Sequence, residues 1–220
     1  MAKTLKEKNR PQLIAFVIVN AIAFGILLQG LDRGVSFLES LTKGNIAILG
    51  RFVAIPAALA LVIGVVGWAV PKSWKETVIF WRIHNCLPSS RAFSAIALRD
   101  PRINPRHLME KHGDLPSVPA QQTALWYRMY RKTAGEASVE DAHGAYLRYR
   151  EMTSLAASVL ACFLAASAWT HPSAKTLAVG TILILAEYVL LLLAARHAAH
   201  HLVANVLAIE SAADSTLPKT

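Results

Sequence analysis

Residues 177–195 read LAVGTILILAEYVLLLLAA, an apolar run with a single carboxylate, Glu187, near its middle. About 20 apolar residues, at ~1.5 Å rise each, span the ~30 Å hydrocarbon layer of a bilayer, so the run predicts a transmembrane helix. An ionised carboxylate at that depth costs roughly 2.5 kcal/mol or more unless it is protonated, paired or facing water. The sequence therefore predicts a membrane protein with one carboxylate, Glu187, whose burial in a predicted transmembrane helix is energetically unfavourable unless it is compensated.

Three further apolar blocks have the length of a spanning helix. Hydrophobic residues make up 54% of the 220 residues and charged residues only 17%, a balance that moves the chain out of the ordinary soluble class. Each block is bounded by charge, proline or glycine, as spanning helices are. The predicted transmembrane helices are residues 13–29, 52–70, 152–170 and 177–195.

The distribution of positive charge predicts the orientation of these spans. The segment 71–151 holds thirteen Lys or Arg against eight acidic residues, and the first twelve residues hold four Lys or Arg. The connectors 31–51 and 171–176 hold four between them. Because cytoplasmic loops retain excess Lys and Arg, we expect a protein of the inner membrane with the long segment and both termini in the cytoplasm.

The fold is expected to be all-α, because 71–151 has no period-two alternation that would indicate a sheet. Ser117 is expected to cap a helix with Pro119 in its first turn, and Ser138 to cap the next, which continues into the third span. The predicted organisation is an N-terminal transmembrane hairpin (1–70), a basic cytoplasmic helical segment (71–151), a second hairpin (152–196) and a cytoplasmic tail (197–220).

Glu187 has two interpretations, which the sequence leaves open. In the structural one, its carboxyl group is protonated or hydrogen-bonded and holds the helices in register. In the functional one, it faces a water-filled path or an oligomer axis, where repeated carboxylates favour cations. The side chains that can pair with it are Asn20, Ser158, Thr181 and Tyr188.

Small residues recur at four-residue spacing in two of the predicted spans. They allow helix backbones to approach closely in lipid, where packing replaces the hydrophobic effect as the driving force. We expect contacts within a four-helix bundle, and a homo-oligomer as well, because four thin helices enclose little space. The residues concerned are Ala157, Ala161 and Ala165 in the third span and Ala60 and Gly64 in the second.

Aromatic and basic residues are mixed in WYRMYRK, residues 126–132. Next to a membrane, this composition is typical of a helix on anionic headgroups; it also suits a cytoplasmic protein, a small anionic ligand or, less well, nucleic acid. Further arginines can add to such an anion-binding surface. The predicted contacts are Arg91, Arg99, Arg102, Arg106, Trp126, Arg128, Arg131 and Lys132.

His197 and His201 have the i, i+4 spacing that places two imidazoles on one helix face. Such a pair can bind zinc, but a site needs further ligands, and no Glu lies inside the interval as in the metalloprotease motif. We therefore favour a position of these rings among headgroups at the end of the last span, and we expect no metal and no cofactor.

No catalytic motif is present, so an enzyme acting on lipid or a nucleotide is the least favoured function; its activity would be lost on substitution of His112 or His143 by alanine. The layout resembles that of small multi-span effectors of bacterial antiviral defence, in architecture alone. The resemblance implies a cytoplasmic segment that senses or docks a partner and spans that form a pore or perturb the membrane. The alternative is a non-conducting scaffold that recruits a soluble enzyme.

Overall fold

The computed structural model describes residues 5–29 and 69–212, and within these ranges the chain forms helices and turns without a strand. The all-α prediction is confirmed for this part of the chain. The main helices are α1 (Leu5–Gln29), α2 (Lys72–Phe80), α3 (Pro105–His112), α4 (Pro119–Thr133), α5 (Ala137–Thr170) and α6 (Ala174–Ala212). Between α2 and α3 the chain forms a 3₁₀ turn (Pro88–Arg91), a π-helix (Ala92–Ile96) and one α-turn (Ala97–Arg99).

Three of the described helices are long and apolar enough to cross a membrane. They are α1 over Glu7–Leu27, α5 and α6. The prediction of a membrane protein is thereby supported. The predicted second span, residues 52–70, lies outside the described residues except for its last two positions, and Ala60 and Gly64 lie outside them as well.

The chain divides into two compact units. The span unit comprises Glu7–Lys75 and Arg150–Leu192. The short-helix unit comprises Met1–Lys6, Glu76–Tyr149 and Leu193–Thr220. Helices α5 and α6 each contribute residues to both units, because neither helix ends at the boundary.

The core of the span unit is apolar and aromatic. The rings of Phe24 in α1 and Phe163 in α5 meet edge to face with centroids 5.9 Å apart, a favoured aromatic geometry. Helix α6 approaches the Phe163 ring at Gly180, where a Cβ atom would lie 2.5 Å from Phe163 Cζ. The buried side chains of this core are Phe24, Leu27, Leu155, Val159, Phe163 and Ile184.

In the short-helix unit, the buried side chain of Gln122 fixes the irregular segment between α2 and α3. Its Oε1 accepts from the backbone N–H groups of Phe93 at 3.0 Å and Ser94 at 3.2 Å. Its Nε2 donates to the carbonyl oxygen of Ser117 at 2.8 Å. Phe93 and Ser94 lie in the first turn of the π-helix, where N–H groups have no partner within the helix, so the one amide oxygen satisfies both of them inside the core.

The two expected serine caps are wrong. Helix α4 begins at Pro119 and its N-cap is Val118, without a side-chain cap, while the Ser117 carbonyl is used by Gln122. Proline at the first helical position has no N–H to cap and presets φ, which reduces the need for a side-chain acceptor. Helix α5 begins at Ala137, so Ser138 lies inside its first turn.

The end of α6 differs from a simple exit from the membrane. The helix continues past the last apolar residue of the run, Ala195, to Ala212. Its last turns pack in the short-helix unit, where Leu202, Val206 and Leu207 are buried. Residues 197–212, which the sequence predicts as part of a tail, are therefore helical and contribute to a core.

Candidate functional site

Glu187 is hydrogen-bonded inside the span unit. The Nδ2 of Asn20 donates to Glu187 Oε1 at 3.0 Å and also to the Phe16 carbonyl oxygen at 3.2 Å. Of the other expected partners, Ser158 donates instead to the Ser154 carbonyl oxygen at 3.0 Å. The structure thus brings together the two polar residues of the predicted spans that the sequence singled out.

The Asn20–Glu187 pair lies in a groove of about 470 Å³. All other described side chains that line it are apolar, among them Phe24, Val159 and Leu183. No described residue bonds to the other carboxyl oxygen of Glu187, so that oxygen can interact with water, a cation or another polar group. Chemically, the groove is apolar with one fixed acceptor.

A second cavity, of about 550 Å³, lies in the short-helix unit and is basic. We call it the basic cleft. One wall comes from the end of the irregular segment and the turn after it, and the other from α6. Its ionisable lining residues are Arg99, Asp100, Arg102, His197, His200 and His201.

Asp100 and Arg102 form a fixed turn at the edge of the cleft. Asp100 Oδ1 accepts from the backbone N–H and Nε of Arg102, each at 3.0 Å, and Oδ2 accepts from Nη2 at 2.7 Å. The remaining Nη1 donates to Asn205 Oδ1 on α6 at 3.0 Å. The Arg102 guanidinium holds the pKa of the Asp100 carboxyl below its ordinary value, and the carboxylate raises the pKa of Arg102.

The other basic groups of the cleft are less engaged. The exposed Arg99 makes no hydrogen bond or ion pair with any described residue. The rings of His197 and His201 contact each other with centroids 4.2 Å apart.

His200 and His201 lie beyond the apolar run of α6. The pKa of each is below the ordinary value, first through partial desolvation and then through nearby positive groups. Arg91 and His197 act on His200, and His197 and Arg102 act on His201. Partial desolvation and the charge of Arg82 also lower the pKa of Arg91. This side of the unit therefore concentrates positive charge.

Trp126 and the basic residues of α4 lie on different faces of the helix. Trp126 is buried and stacks on Tyr130, with centroids 5.5 Å apart. Arg128 and Arg131 are exposed and make no ion pair with described residues. Lys132 is also exposed, with its Nζ 3.8 Å from Glu210 Oε1. Arg106, on α3, is exposed and does not line the basic cleft.

The small residues of the third predicted span face outward from the described core. Ala161 and Ala165 are exposed and Ala157 is half-buried. The buried line of the same helix runs instead through Leu155, Val159 and Phe163.

Sequence reasoning missed a buried ionic cluster around Glu210. Its side chain is 4% exposed, and Oε1 lies 3.0 Å from His112 Nε2 and 3.4 Å from Lys111 Nζ. A second missed pair is Lys75 Nζ with Glu151 Oε2, at 2.6 Å in the span unit. The only signal in the sequence was an isolated acid in an apolar helical pattern, LVANVLAIE, because spacing alone cannot show which distant cations converge on it.

Two histidines considered for catalysis have structural partners. His112 contacts Glu210, and His143 Nδ1 lies 2.8 Å from the hydroxyl of Tyr130. Partial burial, followed by the neighbouring Tyr127, raises the pKa of Tyr130.

In residues 5–29 and 69–212, no group of three or more His, Cys, Asp or Glu side chains is arranged to hold a metal ion. Among these residues, the His197–His201 pair has no third side chain of these types placed to complete such a group. Comparison with protein-family models, curated proteins and solved structures gives no match to this chain.

Proposed function

We propose that this protein is an oligomer of the inner membrane, with both termini cytoplasmic, whose basic short-helix unit senses or docks a partner. Its spans then deliver the output as a pore or a membrane perturbation. One observation carries the proposal. The helix α6 supplies Glu187 to the intramembrane groove and His197, His200 and His201 to the basic cleft, without a break over Ala174–Ala212.

Helix continuity supports a coupling between docking and output. Residues of an unbroken helix move together, because each turn is hydrogen-bonded to the next. Docking that shifts the C-terminal part of α6 therefore biases the position of Glu187 and its hydrogen bond to Asn20. A role as an effector in bacterial antiviral defence belongs to this proposal and rests on the predicted layout alone.

Exposed small residues support the oligomer. Ala161 and Ala165 do not pack in the described core, so they are available to a second copy of the chain. Small residues four apart allow close helix approach in lipid. In an oligomer, several copies of Glu187 around an axis would form the ring of carboxylates that favours cations.

The first test is the mass of the purified chain in lipid nanodiscs, followed by ion flux from liposomes that contain the same species. The proposal predicts a defined oligomer that conducts. Ala161→Leu should weaken the assembly by enlarging an exposed small-residue position, whereas Ala178→Leu, at another exposed alanine outside that line, should not. A monomer that gives no flux would contradict the proposal.

A specific observation also favours a second function, that of a non-conducting scaffold. Tyr127, Arg128 and Arg131 form an exposed aromatic and basic face on α4, opposite buried Trp126 and Met129. Such a face can recruit a soluble protein with an acidic surface. For a scaffold, Arg128→Glu should abolish recruitment of that protein while liposomes remain silent, and flux through the purified chain would exclude this function.

A further inference from the structure

We propose that the basic cleft binds a phosphate monoester, either free in solution or as a lipid headgroup. This inference rests on the proposed docking function and names the ligand class of that site. It is carried by the residues that the fold brings together from two distant parts of the sequence, 95–102 and 197–204.

The charge balance of the cleft favours an anion. Asp100 is the one carboxylate among its described lining residues, and both of its oxygens are occupied by Arg102. That ion pair neutralises itself. Arg99 and three imidazoles are left to face a ligand, and no described acidic side chain of the lining opposes them.

Two features prepare the cleft for binding. The Asp100–Arg102 turn is held by the guanidinium contacts and by Asn205, so one wall is fixed before a ligand arrives. His197, His200 and His201 follow one another at i, i+3 and i+4 on a regular helix, so they share a face. Less ordering is then required on binding, which lowers its entropic cost.

The size and lining of the cleft select among anions. A volume of about 550 Å³ lies within the range of small-molecule sites and far exceeds the space that a halide ion needs. Guanidinium and imidazole groups are directional donors that suit the several oxygens of a phosphate. The remaining lining residues, Ala95, Ile96, Pro101 and Ala204, offer apolar contact to an organic group attached to that phosphate.

A phosphate monoester for the basic cleft can come from a soluble molecule or from a lipid headgroup. His197 follows the last residue of the apolar run, Ala195, by two positions. This proximity in sequence to a predicted span makes a lipid phosphate a source to be tested beside a soluble ester.

Two binding experiments with the whole chain, here called arms, test the site and distinguish a soluble ester from a lipid headgroup. In the first, glycerol 3-phosphate is titrated calorimetrically into the protein in phosphatidylcholine nanodiscs. In the second, nanodiscs also contain phosphatidic acid, and bound lipid is counted by native mass spectrometry. Binding in the first arm identifies a soluble ester, and binding in the second alone identifies a headgroup.

Variants decide whether the cleft is responsible. We expect Arg99→Gln and His201→Ala each to weaken binding by about 10-fold or more, because the first removes a positive charge and the second removes a directional N–H donor. Arg106→Gln, which removes the same charge from an exposed position outside the cleft, should change affinity by no more than about 2-fold. Circular dichroism checks the fold of each variant, and Arg99 has no described polar partner to lose.

Absence of binding in both arms, or equal losses for Arg99→Gln and Arg106→Gln in folded protein, would overturn the inference. Neither arm measures conductance, and the flux assay is run first without any phosphate monoester and then with saturating glycerol 3-phosphate. Failure of this site therefore leaves the oligomeric pore standing, and liposomes that stay silent in both conditions while binding is intact reject the pore alone.

Discussion

The amide of Asn20 on α1 donates a hydrogen bond across 3.0 Å to the carboxylate oxygen Oε1 of Glu187 on α6. The pair joins the first predicted span to the last, at positions 167 residues apart in sequence. It also offsets part of the cost of placing Glu187 in an apolar groove. This hydrogen bond supports the structural interpretation of Glu187. The functional interpretation depends on the second carboxyl oxygen of Glu187, to which Asn20 does not bond.

Replacing Glu187 separates its hydrogen bond from its charge. Glu187→Gln keeps an acceptor for Asn20, so its thermal stability in detergent should match that of the original protein. Glu187→Leu has no acceptor, so its free energy of unfolding should be lower by about 0.6–1.7 kcal/mol. Unfolding followed by circular dichroism measures both. Equal stability of all three proteins would show that the hydrogen bond does not contribute to packing.

Gly180 should not tolerate a side chain. A Cβ atom there would lie 2.5 Å from Phe163 Cζ, and that ring is fully buried against Phe24, so it has no room to withdraw. Gly180→Ala is therefore expected to destabilise the protein by about 1–3 kcal/mol through overpacking.

Gly144 provides the matched control for this substitution. A Cβ atom there meets only Leu5 Cδ2, at 3.7 Å, which is ordinary contact. Gly144→Ala should raise stability by up to about 1 kcal/mol, because alanine is the better helix former. If the two alanine variants have the same melting temperature, the close packing of α6 on Phe163 is wrong.

The buried carboxylate of Glu210 should contribute strongly to the short-helix unit. Glu210→Gln removes the negative charge that His112 and Lys111 share. We expect the free energy of unfolding to fall by about 1.5–3 kcal/mol, the range for hydrogen bonds to charged groups, because the side chains of Lys111 and His112 both retain some access to water. Glu136→Gln, at an exposed turn residue, should remain within about 0.5 kcal/mol. Equal effects of the two substitutions in denaturant titration would contradict this role.

The Asp100–Arg102 pair predicts a limited acid sensitivity. The pKa of Asp100 is lower in the folded protein than in the unfolded chain, so the pair's contribution to stability is fully present above about pH 4. It is lost as the pH falls through the lowered folded value. The melting temperature of Asp100→Asn should therefore be slightly below that of the original protein at neutral pH, and the difference should vanish in acid. A difference that is constant with pH would show that ionisation of Asp100 is not involved.

The long apolar helices could be predicted because their signal is local. The run around Glu187 and the continuous helix from the 139 region into the third predicted span both occur, as α6 and α5. Hydropathy over about 20 residues decides such elements without knowledge of tertiary contacts.

The helix termini and the C-terminal extension of α6 were harder to predict. Serine is a favoured N-cap residue, so Ser117 was a reasonable prediction. Helix α4 begins instead at Pro119 with Val118 as its N-cap, and the Ser117 carbonyl oxygen accepts a hydrogen bond from Gln122. The segment after Ala195 mixes His, Arg and Ala, which suggested a tail. Its burial depends on helices α3 and α4 that the sequence places far away.

The candidate sites divide in the same way. Glu187 and Asn20 were found because polar residues in apolar runs are conspicuous. Arg99 and the histidines of α6 were each noticed, but their common cleft depends on the irregular helical segment that precedes Arg99, and no sequence period predicts a π-helix. The cluster at Glu210 could not be predicted from the sequence, because its residues come from three separate helices, α3, α4 and α6.

The most direct test of the central claim is the ion selectivity of the oligomer in liposomes, compared between the original protein, Glu187→Gln and the exposed control Glu136→Gln. We expect a cation-selective flux that loses its selectivity or stops with Glu187→Gln and is unchanged with Glu136→Gln. A flux with the same selectivity in all three proteins, or no flux from a well-assembled oligomer, would contradict it.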